Sequence, residues 1–318
     1  MPLPTPTVYI PTLQGGDRLA TCLTALQAQT ADFEVVVADN GPGEGCAQLL
    51  GNRFPEVVRI GFGGRNLGFG SALNHAVTER GSGPLIFLND DAVPNPDFVE
   101  SLIDTRRESN AAMVAGVLLR AGNPARIDSA GISCDRTLTA WDYLTGEPAT
   151  RLDTAADPLG PTGGAALFDR EAFNQVGGFD ERIFLYYEDL DLVLRMRLAG
   201  HSCRLAPDAR AIHEGSATLG RKAAAKYRQT GFSRGYLLRK YGIMRHPALA
   251  FKVTVSDTLA GLAQLVADQT PAGLAGRIDG WRSAGDLRLE APLDQLEPAS
   301  LRRHFQVRLA RRSRDKPR

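Results

Sequence analysis

Along most of this chain, short apolar runs alternate with stretches in which apolar residues recur every three or four positions. "TVYI" (7–10) is a β-prone run that Pro11 should end. "RLATCLTALQAQT" (18–30) carries Leu19, Leu23 and Leu26 at helical spacing. "FEVVVADN" (33–40) is almost continuously apolar, as in a strand buried on both faces of a parallel sheet. "VVRIGF" (57–62) reads as the next strand and "GFGSALNHAVTER" (68–80) as a helix. "PLIFLNDD" (84–91) is an apolar strand ending in acids, "DFVESLIDTRRES" (97–109) a helix, and "AAMVAGVLL" (111–119) a strand. This alternation predicts an α/β fold with a mostly parallel, Rossmann-like sheet flanked by helices. Ligands of such sheets sit beyond the carboxyl ends of the strands, and Asp39 and the pair Asp90-Asp91 fall at two of those ends.

Residues 120–162 are rich in Gly, Pro and Asp and read as a long binding loop containing Trp141 and Tyr143. Beyond Gly220 the rhythm changes. Segments 222–241, 246–267 and 271–285 look helical, broken by Gly242, Pro247 and Pro271, with no strand legible. "ALAFKVTVSDTLAGLAQLVA" is apolar but interrupted by Lys252 and Asp257, which suits an amphipathic helix better than a membrane span. The expected division is a sheet domain (1–220), a C-terminal α-helical extension (221–299) and a basic tail (300–318).

Composition narrows this picture. With 43% hydrophobic and 23% charged residues the chain has ample material for a core. A formal net charge of +1 excludes a molecule built throughout as a polyanion binder. The balance is uneven, because Arg302, Arg303, Arg308, Arg311, Arg312, Arg314, Lys316 and Arg318 face only Asp315. Such a tail suits an anionic neighbour, or is a solvated end. Cys22, Cys46, Cys134 and Cys203 lack the spacing of a zinc site or disulfide framework. No signal peptide and no uninterrupted apolar run of spanning length is legible, so a cytoplasmic location is expected.

Candidate chemistry lies in five short motifs. "FLYYEDLDLVLRMRLAGH" (184–201) sets Glu188, Asp189 and Asp191 at the start of an apolar helix, just after Tyr186 and Tyr187. An acid or two there would complement the helix dipole; three beside aromatics exceed what a cap needs. "FLNDDAVP" puts a carboxylate pair at a strand end, where it could hold a hard divalent cation or simply make a turn. In "VVVADNGPGEG", Asp39 could accept from a nucleobase or a ribose, with glycines allowing close approach. "GGRNLGFGSALN", with Asn66 and Asn74, is a helix start that could attract phosphate, though it is no Walker loop. His213, in "APDARAIHEGS", could be a metal ligand or a surface histidine.

Together and in this order, "VVVADNG", "NLGFGSALN", "FLNDDAVP", "GGFDERIFLYYEDLDLVLRMRLAG" and "PDARAIHEGS" resemble glycosyltransferase family 2, of the GT-A fold. The resemblance covers about residues 6–220, and the last two motifs look most like its rhamnosyltransferase branch, which builds bacterial surface polysaccharides. It implies a catalytic base among Glu188 and Asp189. It implies a donor site including Thr12, Asp39, Asn66, Asn89, Asp90, Gly163 and Gly164. It implies a Mg2+ or Mn2+ ion held by Asp91 and His213. Asn89-Asp90-Asp91 replaces the commoner Asn-Pro-Asp, which leaves open which acid is the main ligand, and Pro42 stands where Ser or Thr is usual.

The implied activity is inverting, metal-dependent transfer of a sugar from a nucleotide diphosphate, first of all rhamnose from dTDP-rhamnose. The implied acceptor is a hydroxyl of a lipid-linked glycan or polysaccharide, with peripheral attachment to an anionic inner membrane face and no nucleic-acid partner. The alternatives are a non-catalytic sugar-nucleotide-binding scaffold and a nucleotidyltransferase. The second would need a basic glycine-rich loop near the first strand, where "PTLQGGDR" offers only Arg18.

Overall fold

The computed structural model describes residues 4–215 and 224–300; the basic tail and the start of the helix expected from Lys222 lie outside the described residues. Strands β1 (Thr7–Thr12), β2 (Glu34–Asp39), β3 (Val58–Gly61) and β4 (Leu85–Leu88) alternate with helices α1 (Asp17–Gln27), α2 (Gly45–Arg53) and α3 (Phe69–Glu79). Then follow β5 (Ala92–Pro94), α4 (Phe98–Ser109), β6 (Met113–Arg120), β7 (Asn123–Ser129), β8 (Ile132–Cys134) and β9 (Ala140–Asp142). β10 (Ala165–Phe168), α5 (Arg170–Gln175), α6 (Glu188–Leu198) and β11 (Cys203–His213) complete the sheet region. α7 (Ala224–Lys240), α8 (Pro247–Asp268) and α9 (Ala272–Ser283) come last.

The main sheet has the order β3-β2-β1-β4-β10-β6-β11-β5, with β7 on β6. Its first four strands are parallel. β10 enters antiparallel between β4 and β6, because the chain returns to it from a loop and not through a crossover helix. Period two sorts the strand residues: Val8, Ile10, Ile86 and Leu88 face α1 and α4, while Tyr9, Val36 and Phe87 face α3, α5 and α6. Both faces are therefore buried, and each such side chain contributes about 1.5–3 kcal/mol by leaving water.

Several expectations change. Pro11 does not end β1: pairing with β4 stops at Tyr9, so the missing N–H breaks no bond on that side, and pairing with β2 runs on to Thr12. Residues 120–162 are not one loop but hold β7, β8, β9 and a 3-10 turn (Ala149–Thr154). Their alternation is too short and polar to be read without partners. α2, β5, β10 and α5 were likewise illegible. α8, with mean hydropathy 1.2, is long and apolar enough to cross a membrane by length and composition, although Lys252 and Asp257 interrupt it as the sequence shows.

Contacts divide the chain into two units. The first holds residues up to 132, 142–184 and 188–216; the second holds 133–141, 185–187 and the helices from 217 onward.

Candidate active site

Three strand ends of the first unit carry its acids. β4 stops at Leu88, and the turn to β5 carries Asn89, Asp90 and Asp91 in succession, the first two half-buried and Asp91 buried. Their surroundings separate the two acids. Asp90 Oδ2 accepts a hydrogen bond from Thr12 Oγ1 at 2.6 Å, which ties it to the end of β1. Burial raises its carboxyl, with Asp91 adding to the rise and Thr12 opposing it. Asp91 faces the other way, its Oδ1 lying 3.3 Å from His213 Nε2.

His213 arrives by register. β11 runs antiparallel to β5 with His213 opposite Ala92, and parallel to β6 with His213 opposite Arg120. A bulge between Leu205 and Arg210 resets that register. Asp128 on β7 accepts from His213 Nδ1 at 2.9 Å. Burial works against a charge on the ring, but its bonds to Asp128 and Asp91 outweigh this and push it up to about 10. An imidazole oriented by a carboxylate on one nitrogen, and facing a second carboxylate with the other, has the ligand types and outer-shell support of a divalent-cation site. Among the described residues no group of three or more His, Cys, Asp or Glu is placed to hold a metal ion.

Asp39, at the end of β2, is almost fully buried and accepts from Arg59 Nε of β3 at 2.8 Å. A cavity of about 290 Å3 opens here, lined by Asp39, Arg59, Phe62 and the glycines of the two flanking turns. Nearby, Asn40 Nδ2 donates to Asn66 Oδ1 and to the Gly68 carbonyl, and the Leu67 N–H returns a bond to Asn40 Oδ1. Asn66 Oδ1 also accepts from the Gly68 N–H. These bonds fix the turn that opens α3.

The acids of α6 differ among themselves. Asp191 is fully buried and paired with Arg195 at 2.8 Å, a structural ion pair one turn along. Glu188 is buried and its Oε2 has no hydrogen-bond partner. Burial and the Asp189 charge push its carboxyl well above its ordinary value. Asp189 is half-buried; desolvation raises it, while N–H groups of Leu190 and Gly163 lower it part of the way. Its Oδ2 lies 3.4 Å from both Thr162 Oγ1 and the Gly163 N–H. The residues just before this pair, Tyr186 and Tyr187, have φ of 68° and 69°, a strained conformation for bulky side chains.

Residues 162–164 join the acidic centres. Gly163 donates toward Asp189, and the next residue, Gly164, accepts from the Asn89 N–H at 3.1 Å. Neither position admits a side chain: a Cβ on Gly163 would lie 2.8 Å from the Phe69 ring, and one on Gly164 2.7 Å from Asn89 Nδ2. Glu188-Asp189 and Asn89-Asp90-Asp91 thus border the same three-residue segment. Arg59, Asp128 and Asn40 were missed in the sequence. Arg59 stands out only as the one charge in a short strand, and Asp128 carries no local signal at all.

The family model for glycosyl transferase family 2 matches residues 7–177, more than half of the chain. The chain belongs to glycosyl transferase family 2. An N-acetylglucosaminyl-diphospho-decaprenol L-rhamnosyltransferase of Mycobacterium tuberculosis is 30% identical over 238 residues, covering 67% of this chain and 77% of that protein. An O-antigen biosynthesis protein of Myxococcus xanthus is 25% identical over 227 residues, 68% of this chain and 18% of its own length. Among solved structures, GalNAc-T7 with UDP, GalNAc and Mn2+ matches with TM-score 0.58 and 15% identity. That match covers 75% of this chain, which spans 50% of that transferase. A Pyrobaculum calidifontis mannosyltransferase in complex with GDP-Man and Mn2+ matches with TM-score 0.53 and 16% identity, over 89% and 88% of the two chains. These likenesses give this glycosyltransferase the GT-A fold expected from its sequence.

Proposed function

We propose that this glycosyltransferase moves a sugar, rhamnose in the first instance, from a nucleotide diphosphate to a hydroxyl of a lipid-linked glycan, with inversion. The observation that carries the reading is the segment 162–164, which contacts Asp189 on one side and Asn89 on the other. A base and a leaving-group site on opposite sides of one sugar are what a single displacement needs.

In that reading Asp189 Oδ2 takes the proton of the acceptor hydroxyl as its oxygen attacks the anomeric carbon. The bond from that carbon to the diphosphate breaks in the same step. Glu188 is buried with its carboxyl raised, and Asp191 is taken up by Arg195, so the role of base falls to the half-buried Asp189. Asp39 and Arg59 hold the nucleoside in the cavity they line. Thr12 fixes Asp90, and Asn89, Gly163 and Gly164 flank the sugar. Asp91 and His213 would hold a Mg2+ or Mn2+ ion, which supplies charge stabilisation to the departing phosphates. The rhamnosyl and lipid-linked assignments rest on likeness to the mycobacterial rhamnosyltransferase.

The test is transfer from a panel of nucleotide sugars to a synthetic polyprenyl-diphosphate-linked N-acetylglucosamine, with the anomeric configuration of the product read by NMR. An inverted product from dTDP-rhamnose is expected. A retained configuration would overturn the single displacement, and transfer from another donor would overturn the sugar assignment alone.

A further inference from the structure

Within the second unit, the charges of α8 all have partners while several of its apolar side chains are exposed. Asp257 of α8 lies 3.3 Å from Arg234 of α7 and 3.8 Å from Arg277 of α9, and Asp257 and Arg234 are both largely buried. Lys252 Nζ donates to the Ala299 carbonyl at 3.0 Å, and Asp268 accepts from Tyr227 at 2.9 Å. The charges that interrupt α8 in the sequence therefore all have partners inside the unit.

The outward face is the apolar one. Leu262 is 54% exposed and Val266 79%, with Leu259 and Leu265 also exposed along α8. On α9, Leu274, Ile278 and Trp281 are exposed as well. These side chains were not displaced from a core, because α9 packs through backbone. A Cβ on Gly276 would lie 2.1 Å from the Arg228 carbonyl oxygen, and one on Gly280 nearer still to that of Phe232. Close backbone approach through small residues is how helices pair where no water drives apolar side chains together.

From this geometry we infer that the exposed apolar face of α8 and α9 lies in the interfacial layer of an anionic lipid bilayer. Charge selects this occupant. The sequence after Ser300 carries eight Lys and Arg against one Asp, and Ala299, just before it in the chain, is tied to α8 through Lys252. The chain thus pairs an apolar face with a strongly cationic sequence, the two signals that stable attachment to an anionic leaflet requires. Trp281, under the Arg239 guanidinium at 5.6 Å, suits the headgroup level. The inference deepens the lipid-linked acceptor reading by assigning the surface that meets the membrane.

The test uses the full chain and sedimentation with vesicles of equimolar phosphatidylcholine and phosphatidylglycerol. Leu262→Asp with Val266→Asp should weaken binding by about tenfold or more, at low and high salt, since each buried side chain of this kind contributes on the order of 2 kcal/mol. Deletion after Ser300 should weaken it at low salt, with the difference shrinking as salt rises. In Trp141→Phe, which leaves Trp281 as the sole tryptophan, brominated lipid should quench the emission. Donor hydrolysis without vesicles should be unchanged in the face variant, which shows that it folds. Vesicle binding equal to the parent's, or no quenching of Trp281, overturns the inference. So does a parent dimer that the two substitutions convert to monomer, because the face would then belong to a second copy. Loss of donor hydrolysis in the parent, with binding intact, would count against the transferase reading and leave the surface standing.

Discussion

Asp189 and Glu188 are adjacent, yet their environments give them different work. Asp189→Asn keeps the shape and cannot take a proton, so turnover should fall by about 100-fold or more, with donor affinity by calorimetry unchanged. Glu188→Gln keeps the shape of a buried carboxyl whose protonated form burial favours, and should cost far less turnover. A collapse of donor binding in folded Asp189→Asn would move that residue to the donor site. The raised carboxyl of Asp189 also sets a pH dependence. The base must be ionised, so kcat/KM should rise with pH through an acid limb lying above the ordinary carboxylate range, and Asp189→Asn should abolish that limb. A limb in the ordinary range would contradict the desolvated site. At the other centre, Asp91→Ala removes the carboxylate facing His213. Manganese-dependent binding of the nucleotide diphosphate should be lost in titration calorimetry, while metal-independent binding persists.

Elements deliver these residues through register and close contact. β11 needs its bulge, and its pairing with both β5 and β6, to bring His213 beside Asp91. The turn before β10 needs two residues without side chains to sit between α6 and the end of β4. Gly164→Ala places a methyl 2.7 Å from Asn89 Nδ2, so either the turn or Asn89 must shift. Overpacking of this kind costs about 1–3 kcal/mol. A lowered urea midpoint together with a disproportionate fall in kcat is expected; unchanged kcat would mean that the contact with Asn89 does not position the donor side.

At the scale of the whole molecule, the division into two units puts the most costly charges far along the chain from the acidic motifs. Asp257 is the shared counter-charge of Arg234 and Arg277. Asp257→Ala leaves two guanidinium groups facing each other in a desolvated place, and removal of one partner from such a group costs about 3–5 kcal/mol. Hydrogen exchange should quicken across α7, α8 and α9 more than across β1, β2 and β4. Uniform protection in both units would show that the three charges are better hydrated than their burial implies.

The sequence by itself determined the parallel strands, the helices between them, and the acids at the strand ends. Those features rest on local periodicity: a run buried on both faces must be apolar throughout, and a helix must repeat every three or four residues. It also determined the candidate motifs, since Asp39, Asn89-Asp90-Asp91 and Glu188-Asp189 each stand out against apolar neighbours. Only the tertiary structure decided how those acids divide their roles. Thr12 takes Asp90, His213 faces Asp91, Arg195 takes Asp191, and Glu188 Oε2 is left without a hydrogen-bond partner. Each of those outcomes depends on a partner distant in sequence or on burial. Lys252 and Asp257 show the same limit from the other side. They read as the polar face of an amphipathic helix, and the fold gives them the Ala299 carbonyl and Arg234 as partners while leucines of α8 stay exposed.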